Sequence, residues 1–363
     1  MTRVLLVGKG APDRGGIPTF LETLRRGPLS EEHDLTFLNV AHAGTPQGGR
    51  PTTANVVRTV RDSVAVWRAA RGQDIVHIHS ALAPTVTVVR AALLALAGRL
   101  RGCAVIVHAH GGDVEFWLVN RVRRVLMKAA MLPASRVVAV WTIGERVLRV
   151  ALSGDRVRMI DNGVSLDDFA QHTSHEGPPR ILYVGLLTPR KGVVDLINAS
   201  QLLHDRGVDH ELWLLGGTPD EGPDAEVPVR AAAEGRARLL GTRPPELMPQ
   251  AYAEVDVFCL PSWWEAMPLS VLEAMASGLP VVATDVGDVA REVEDGLCGY
   301  VVPVRAPEQL AAALEKLLTD PDRRARMGSA ARERVGQHFS SAVTARAVSD
   351  MYLELELAGR SRL

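Results

Sequence analysis

Residues 258–287 read FCLPSWWEAMPLSVLEAMASGLPVVATDVG and contain one complete unit of the fold. Asp256–Leu260 is an apolar run of strand length, Pro261–Met267 has loop composition, and Pro268–Ser277 has helical periodicity closed by Gly278. A second apolar, β-branched run, Val281–Ala283, follows at once. Strand, loop, helix, strand is a βαβ unit, from which parallel sheets are built.

The same alternation extends in both directions. Toward the N-terminus the apolar runs are Val4–Val7, Leu35–Val40, Ile75–His79, Ala104–Val107 and Arg136–Val140. In the second half they are Ile181–Val184, Glu211–Leu215, Arg238–Leu240, Asp256–Leu260 and Val281–Ala283. Ten such strands exceed a comfortable open sheet and suit two doubly wound α/β domains. The polar stretch Gln171–Pro179, QHTSHEGPP, has the composition of a linker. The expected domains are therefore residues 1–170 and 180–341, with an amphipathic C-terminal helix, 342–363, packing back on the first. Ligands of open α/β sheets sit beyond the carboxyl ends of the strands, so a cleft between the two domains is the expected site.

Composition narrows the class. A net charge of -1 over 363 residues argues against a general polyanion binder, and there is no nucleic-acid signature. The charge is uneven, with 22 Lys/Arg and 15 Asp/Glu in residues 1–176 against 19 and 27 in the remainder. The basic first half reads either as a chance asymmetry of solvated charge or as a surface for an anionic partner, such as a membrane or a lipid phosphate. The helix region with Arg121, Arg123, Arg124 and Lys128 reads either as an ordinary domain helix or as one resting on an anionic membrane. The most apolar stretch, Ala81–Gly98, is interrupted by Pro84 and Arg90 and is a poor membrane span. Three cysteines, Cys103, Cys259 and Cys298, without a CxxC spacing fit a reducing, cytoplasmic compartment, and the first strand is too short for a signal peptide. No His/Asp/Glu cluster has metal-ligand spacing, so neither metal nor cofactor is expected.

The chemistry concentrates in the opening stretch. Pro268 suits the first helical position, and behind Met267 the N–H groups of Leu269 and Ser270 are offered at a positive helix end. That is a site for a diphosphate. Glu273 lies four residues beyond Leu269 on the same helix face, where a carboxylate can accept from two vicinal hydroxyls. Glu265 precedes the helix. Either carboxylate alone reads as an ordinary surface charge; the pair, eight apart between a buried strand and a glycine-ended helix, is more specific.

The pattern E-x7-E followed by AMASGLPVVATDVG resembles the family 4 glycosyltransferases, which have the GT-B fold. Further ordered matches are Gly15-Gly16, DIVHIHS (Asp74–Ser80), HAHGGD (His108–Asp113), DNGVSLDDF (Asp161–Phe169), VGLLTPRKG (Val184–Gly192) and DGLCGYVVP (Asp295–Pro303). The resemblance implies that Lys191, helped by Arg190, binds the donor diphosphate, and that His110 contacts the donor sugar. It also implies that Glu265 orients the sugar and Glu273 holds the ribose. Gly15 and Gly16 then admit the ligand to the backbone, Gly216 and Arg243 flank the base, and Asp113 binds the acceptor or caps a helix. Leu186 stands where the family often has arginine. Gly8-Lys9-Gly10 lacks the third glycine of a dinucleotide fingerprint, because position 13 is Asp.

The resulting expectation is a retaining, metal-independent transfer of a sugar from a nucleoside diphosphate sugar to a hydroxyl acceptor in glycan, polysaccharide or glycolipid synthesis. The acceptor is a sugar, a lipid-linked sugar or a small molecule, and UDP is the prior for the nucleotide. Two rivals use the same fold: a nucleotide-sugar epimerase, and a binding subunit without chemistry. The acceptor loop Ala41–Thr53 carries no readable code.

Overall fold

The computed structural model describes residues 1–41, 52–111, 113–152, 154–171, 175–217 and 223–360. Most of the Ala41–Thr53 loop, Gly112 of the HAHGGD motif and residues 172–174 of the polar stretch lie outside them. The chain forms two compact units. One comprises Met1–Gly163 with Ser341–Leu363, the other Val164–Ser340.

The first unit holds strands β1 (Arg3–Gly8), β2 (Asp34–Asn39), β3 (Ile75–Ser80), β4 (Ala104–Ala109), β5 (Arg136–Ala139) and β6 (Val157–Met159). Its helices are α1 (Gly16–Arg26), α2 (Leu29–Glu32), α3 (Thr53–Ala69), α4 (Thr85–Arg99), α5 (Val114–Trp117), α6 (Arg121–Ala130) and α7 (Thr142–Ala151). The second unit holds β7 (Arg180–Val184), β8 (Glu211–Leu215), β9 (Arg238–Gly241), β10 (Val257–Leu260), β11 (Val281–Thr284) and β12 (Gly299–Val302). Its helices are α8 (Val193–Asp205), α9 (Val227–Ala233), α10 (Met248–Ala253), α11 (Leu269–Ala276), α12 (Val289–Glu292), α13 (Pro307–Leu318) and α14 (Pro321–His338). The last helix, α15 (Ser341–Arg360), belongs to the first unit. There Tyr352 bonds His77 at 2.7 Å and Ser349 bonds His33 at 2.8 Å.

Among the described residues twelve strands form, two more than the sequence suggests. β6 and β12 are the short edge strands at one end of each sheet, and neither has a long β-branched run to announce it. The orders are β2-β1-β3-β4-β5-β6 and β12-β11-β10-β7-β8-β9, with every pairing parallel. Strands such as β3 and β10 are buried along their whole length, as strands covered by helices on both faces must be. In each sheet the chain starts on an interior strand, winds one way, then crosses back and winds the other. The direction reverses between β1 and β3 in the first unit and between β7 and β10 in the second, and such switch points are where ligands bind.

Candidate functional site

In the second unit the switch point brings together two of the expected residues. Lys191 lies beyond β7 and Glu265 beyond β10. Lys191 Nζ is 2.5 Å from Glu265 Oε1, and the buried Ser262 hydroxyl donates to the same oxygen at 2.7 Å. Both charged side chains are largely enclosed, with 17% and 12% exposure. An ion pair in such a setting is strong only when its remaining atoms also find partners, and Ser262 supplies one.

Two glycines let the backbones approach this closely. Gly192 takes φ 66°, and a Cβ there would lie 1.8 Å from the Pro261 carbonyl oxygen. Gly287 takes φ 54°, and its Cβ would lie 2.4 Å from the Glu265 carbonyl oxygen. The Glu265 loop is thus held from both sides, with Trp263 N–H donating to the Arg190 carbonyl at 3.1 Å and Asp288 N–H to Ala266 at 2.9 Å. The Trp263 indole donates to Asp195 at 2.7 Å, and the Arg305 guanidinium lies 4.2 Å from the ring centroid. Arg190 itself is exposed.

Helix α11 begins one residue later than expected. Pro268 is its N-cap, at φ -76° and ψ 116°, and not its first helical residue; its carbonyl accepts from Val271 N–H at 3.1 Å. No side chain caps the helix, so the leading N–H groups of Leu269 and Ser270 have no intrahelical acceptor and no capping oxygen. Met267, Pro268 and Leu269 are buried and Ser270 half-buried. One turn further in, Glu273 accepts from the buried Tyr252 hydroxyl at 2.7 Å. Burial raises the Glu273 carboxyl to about 7, against the opposing pull of the Tyr252 hydrogen bond.

The residues expected around the base have structural partners of their own. Gly216 is required because a Cβ would lie 1.7 Å from the Gly185 carbonyl oxygen. Arg243 is 3.8 Å from Glu254. Leu186 is 40% exposed, and its carbonyl accepts from the Tyr183 hydroxyl at 2.8 Å.

The first unit presents different chemistry. The β3–β4 register sets His79 opposite His108, so four imidazoles share one sheet face. His77 Nε2 is 3.2 Å from His108 Nδ1, and His79 Nδ1 is 2.9 Å from His110 Nε2. Phe20 of α1 covers three of the rings at centroid distances of 4.8–5.7 Å. Burial lowers all four: His77 and His110 to about 3, and His79 and His108 well below their ordinary value. All four rings are neutral at physiological pH. His108 is fully enclosed within β4, whereas His110, just past the strand end, is only half-buried.

This cluster corrects the expectation that no group of residues has metal-ligand placement. Ligand atoms of His77, His79 and His108 lie within 4.8 Å of one another. Ring nitrogens of all three are engaged in imidazole or tyrosine hydrogen bonds, which leaves Nε2 of His79 and of His108 without partners. The alternation in DIVHIHS fixes the face of His77 and His79, but only the strand register reveals what they meet.

Gly15, at φ 118°, is the N-cap of α1, and no side chain caps that helix. Asp113 is the exposed N-cap residue of α5 and makes no side-chain capping bond. All three cysteines are buried and free, and burial raises each thiol.

Comparison with known proteins covers nearly the whole chain. Residues 2–168 match the family Glycosyltransferase Family 4, and residues 165–334 match Glycosyl transferases group 1. The chain is 31% identical over 353 residues to a phosphatidyl-myo-inositol mannosyltransferase of Mycolicibacterium smegmatis, covering 91% of this chain and 88% of the relative. It is also 31% identical over 242 residues to an alpha-D-kanosaminyltransferase of Streptomyces kanamyceticus, covering 66% of this chain but only 60% of that relative's length. Among solved structures, the sucrose-phosphate synthase of Thermosynechococcus elongatus superposes with a TM-score of 0.79 at 21% identity, covering 99% of this chain and all of the other. HepE of Anabaena in complex with UDP-glucose gives 0.75 at 17% identity, covering 98% of this chain and all of that one. Those two likenesses speak to the fold.

Proposed function

The chain belongs to glycosyltransferase family 4, and on that premise we propose that it moves a sugar from a nucleoside diphosphate sugar to an acceptor hydroxyl with retention at the anomeric carbon. The observation that carries the proposal is the Lys191–Glu265 pair at the β7/β10 switch point, beside the uncapped start of α11.

The donor diphosphate lies against the Leu269 and Ser270 N–H groups, with Lys191 and Arg190 as its cations. Charge that builds on the diphosphate as the anomeric C–O bond breaks is met by groups already in place, the role a metal ion has elsewhere. The acceptor oxygen forms the new bond on the same face, and its proton passes to the departing phosphate oxygen. Donor binding draws Lys191 toward phosphate and frees Glu265 to accept from a sugar hydroxyl. Ionised Glu273 accepts from the ribose hydroxyls. His110, neutral and half-buried, contacts the donor sugar without adding a positive charge beside a developing oxocarbenium centre. Gly15, Gly16, Gly216, Arg243 and Met267 complete the donor contacts, and Asp113 meets the acceptor. HepE was solved with UDP-glucose, so UDP-sugars are the first donors to test.

A thermal-shift screen of UDP-, GDP-, ADP- and TDP-sugars identifies the donor, because ligand at ~100 times its dissociation constant stabilises the fold by about 2.7 kcal/mol. With that donor, Lys191→Ala should lower kcat/KM by roughly 100- to 1000-fold, the scale of one transition-state contact. Transfer at the wild-type rate by a folded Lys191→Ala protein would refute the assignment. Conversion of donor alone into an epimer would favour the rival chemistry.

A further inference from the structure

Right-handed crossovers place α3, α4, α6 and α7 on one face of the first sheet, while α1, α2 and α15 pack together on the other. The outer side of that first layer is unusual. Helix α4 is apolar on both its sides and has no polar face: Val88, Ala91, Leu94 and Ala95 are buried, and the opposite side shows Val89, Leu93 and Leu96, with Leu100 just past the end. Its cations are Arg90, held by Asp62, and the terminal Arg99. A helix without a polar face is ordinarily enclosed. Its neighbour α3 presents Val57, Val60, Val64 and Trp67 along its own outward side. These eight side chains are between 38% and 69% exposed. On α6, beside α4, Val122 and Val125 are exposed as well.

The charges on these helices are predominantly positive. The four helices carry eleven Lys/Arg and two Asp/Glu. Both acids are engaged within the layer, Asp62 with Arg90 at 2.8 Å and Glu145 with Arg149 at 2.9 Å. Arg61, Arg68, Arg99, Arg123 and Lys128 are exposed among the apolar side chains. At the end of α3 the Arg101 guanidinium lies 3.4 Å from the Trp67 ring centroid and donates to the Trp67 carbonyl at 2.7 Å.

We propose that the outer face of α3, α4 and α6 docks on an anionic lipid bilayer. Apolar side chains would enter below the headgroups while arginines meet lipid phosphates, and Trp67 suits the boundary between the two. A second copy of the chain fits less well. It would set arginines against arginines, because the acids of these helices are already paired with their own arginines, and like charges across a dry interface are costly. No described helix is long and apolar enough to cross a membrane, so the contact is with the surface. The proposal does not depend on the donor-site reading.

Co-sedimentation of the full chain with vesicles tests it. Vesicles containing phosphatidylglycerol should carry the protein down, and phosphatidylcholine alone should not. Binding should weaken as salt rises from ~0.05 to ~0.5 M and the screening length shrinks. Replacing Arg61 and Arg68 by Gln should weaken it by roughly fivefold each, from about 1 kcal/mol per cation near the surface. The double change Leu93→Glu, Leu96→Glu should abolish it; both sites are exposed, and an unchanged melting temperature will confirm that the variant folds. No sedimentation with phosphatidylglycerol at low salt, or undiminished sedimentation of the double variant, overturns the proposal. So does a dimer in light scattering that the double variant dissolves, because a second copy would then cover the face.

Discussion

The two units bury titratable groups of opposite kind, an acid in one and bases in the other. At the β7/β10 switch point a charged pair, Lys191 with Glu265 at 2.5 Å, stands with an acid, Glu273, that accepts from the Tyr252 hydroxyl at 2.7 Å. On the β3–β4 face the groups are titratable but neutral, four imidazoles bonded to one another beneath Phe20. Burial acts on Glu273 and on the imidazoles alike. It raises an acid and lowers a base, because in each it disfavours the charged form. The consequence is that the two sites respond to pH with opposite sign.

The largest expected effect follows from that contrast. A histidine whose pKa is lowered on folding contributes stability that is present above its unfolded value of about 6.5 and lost as pH falls toward its folded value. For His77 the window runs from 6.5 down to about 3, and the same direction holds for its three neighbours. Each buried imidazole adds up to ~1.4 kcal/mol per pH unit inside the window. Glu273 works the other way. Its raised carboxyl contributes stability that is full below about 4.5 and lost as pH rises through about 7. Hydrogen exchange, corrected for intrinsic rates, should therefore show β3 and β4 losing protection between pH 7 and 5 while β10 and α11 hold theirs. Equal loss in both units would break the comparison.

Donor binding sharpens it further. Ribose hydroxyls donate to a carboxylate, so the proposed role of Glu273 needs its ionised form. Donor affinity should be flat above pH 7 and fall below it by about tenfold per pH unit, the limit for one required deprotonation. Glu273→Gln should remove this dependence and bind more weakly at high pH. Calorimetric titration between pH 5.5 and 8.5 measures both. A wild-type profile that does not change across pH 7 would take Glu273 out of the donor site.

How far these groups were legible differs between the units for a physical reason. Glu265, the α11 start and Glu273 lie within one strand–loop–helix segment, so local pattern finds them together. The Lys191–Glu265 contact joins residues 74 apart, and it exists because β7 and β10 are neighbours at the switch point. His77 and His79 sit in a strand whose alternation is readable, yet their partners follow from a register between strands that no single segment encodes. The strands β6 and β12 went unread because three or four residues at a sheet edge carry little pattern. Ala81–Gly98 was recognisable as the most apolar stretch, but its outward-facing side emerged only from the packing of α4 on the sheet. Here Gly98 sits so close to Val76 that a Cβ would approach it at 3.0 Å.

The smallest expected effect isolates one hydrogen bond. The Tyr252 hydroxyl donates to Glu273 Oε2 and so favours the charged carboxylate against the burial that opposes it. Tyr252→Phe removes that donor and keeps the ring, which packs against Phe169 and Phe258 at centroid distances of 6.0 and 5.9 Å. The carboxyl should then titrate at higher pH, and the rise in donor affinity should move alkaline with it. At pH 7 the variant should bind donor roughly threefold to tenfold more weakly, matching a net hydrogen bond of about 0.5–1.5 kcal/mol. At pH 8.5 most of that loss should disappear, because the carboxyl is again ionised. A deficit that stays constant with pH would mean that Tyr252 holds the shape of the site and leaves the charge on Glu273 unchanged. The acid-sensitive behaviour of β3 and β4 should be untouched in either case, since no histidine of that face has lost a partner.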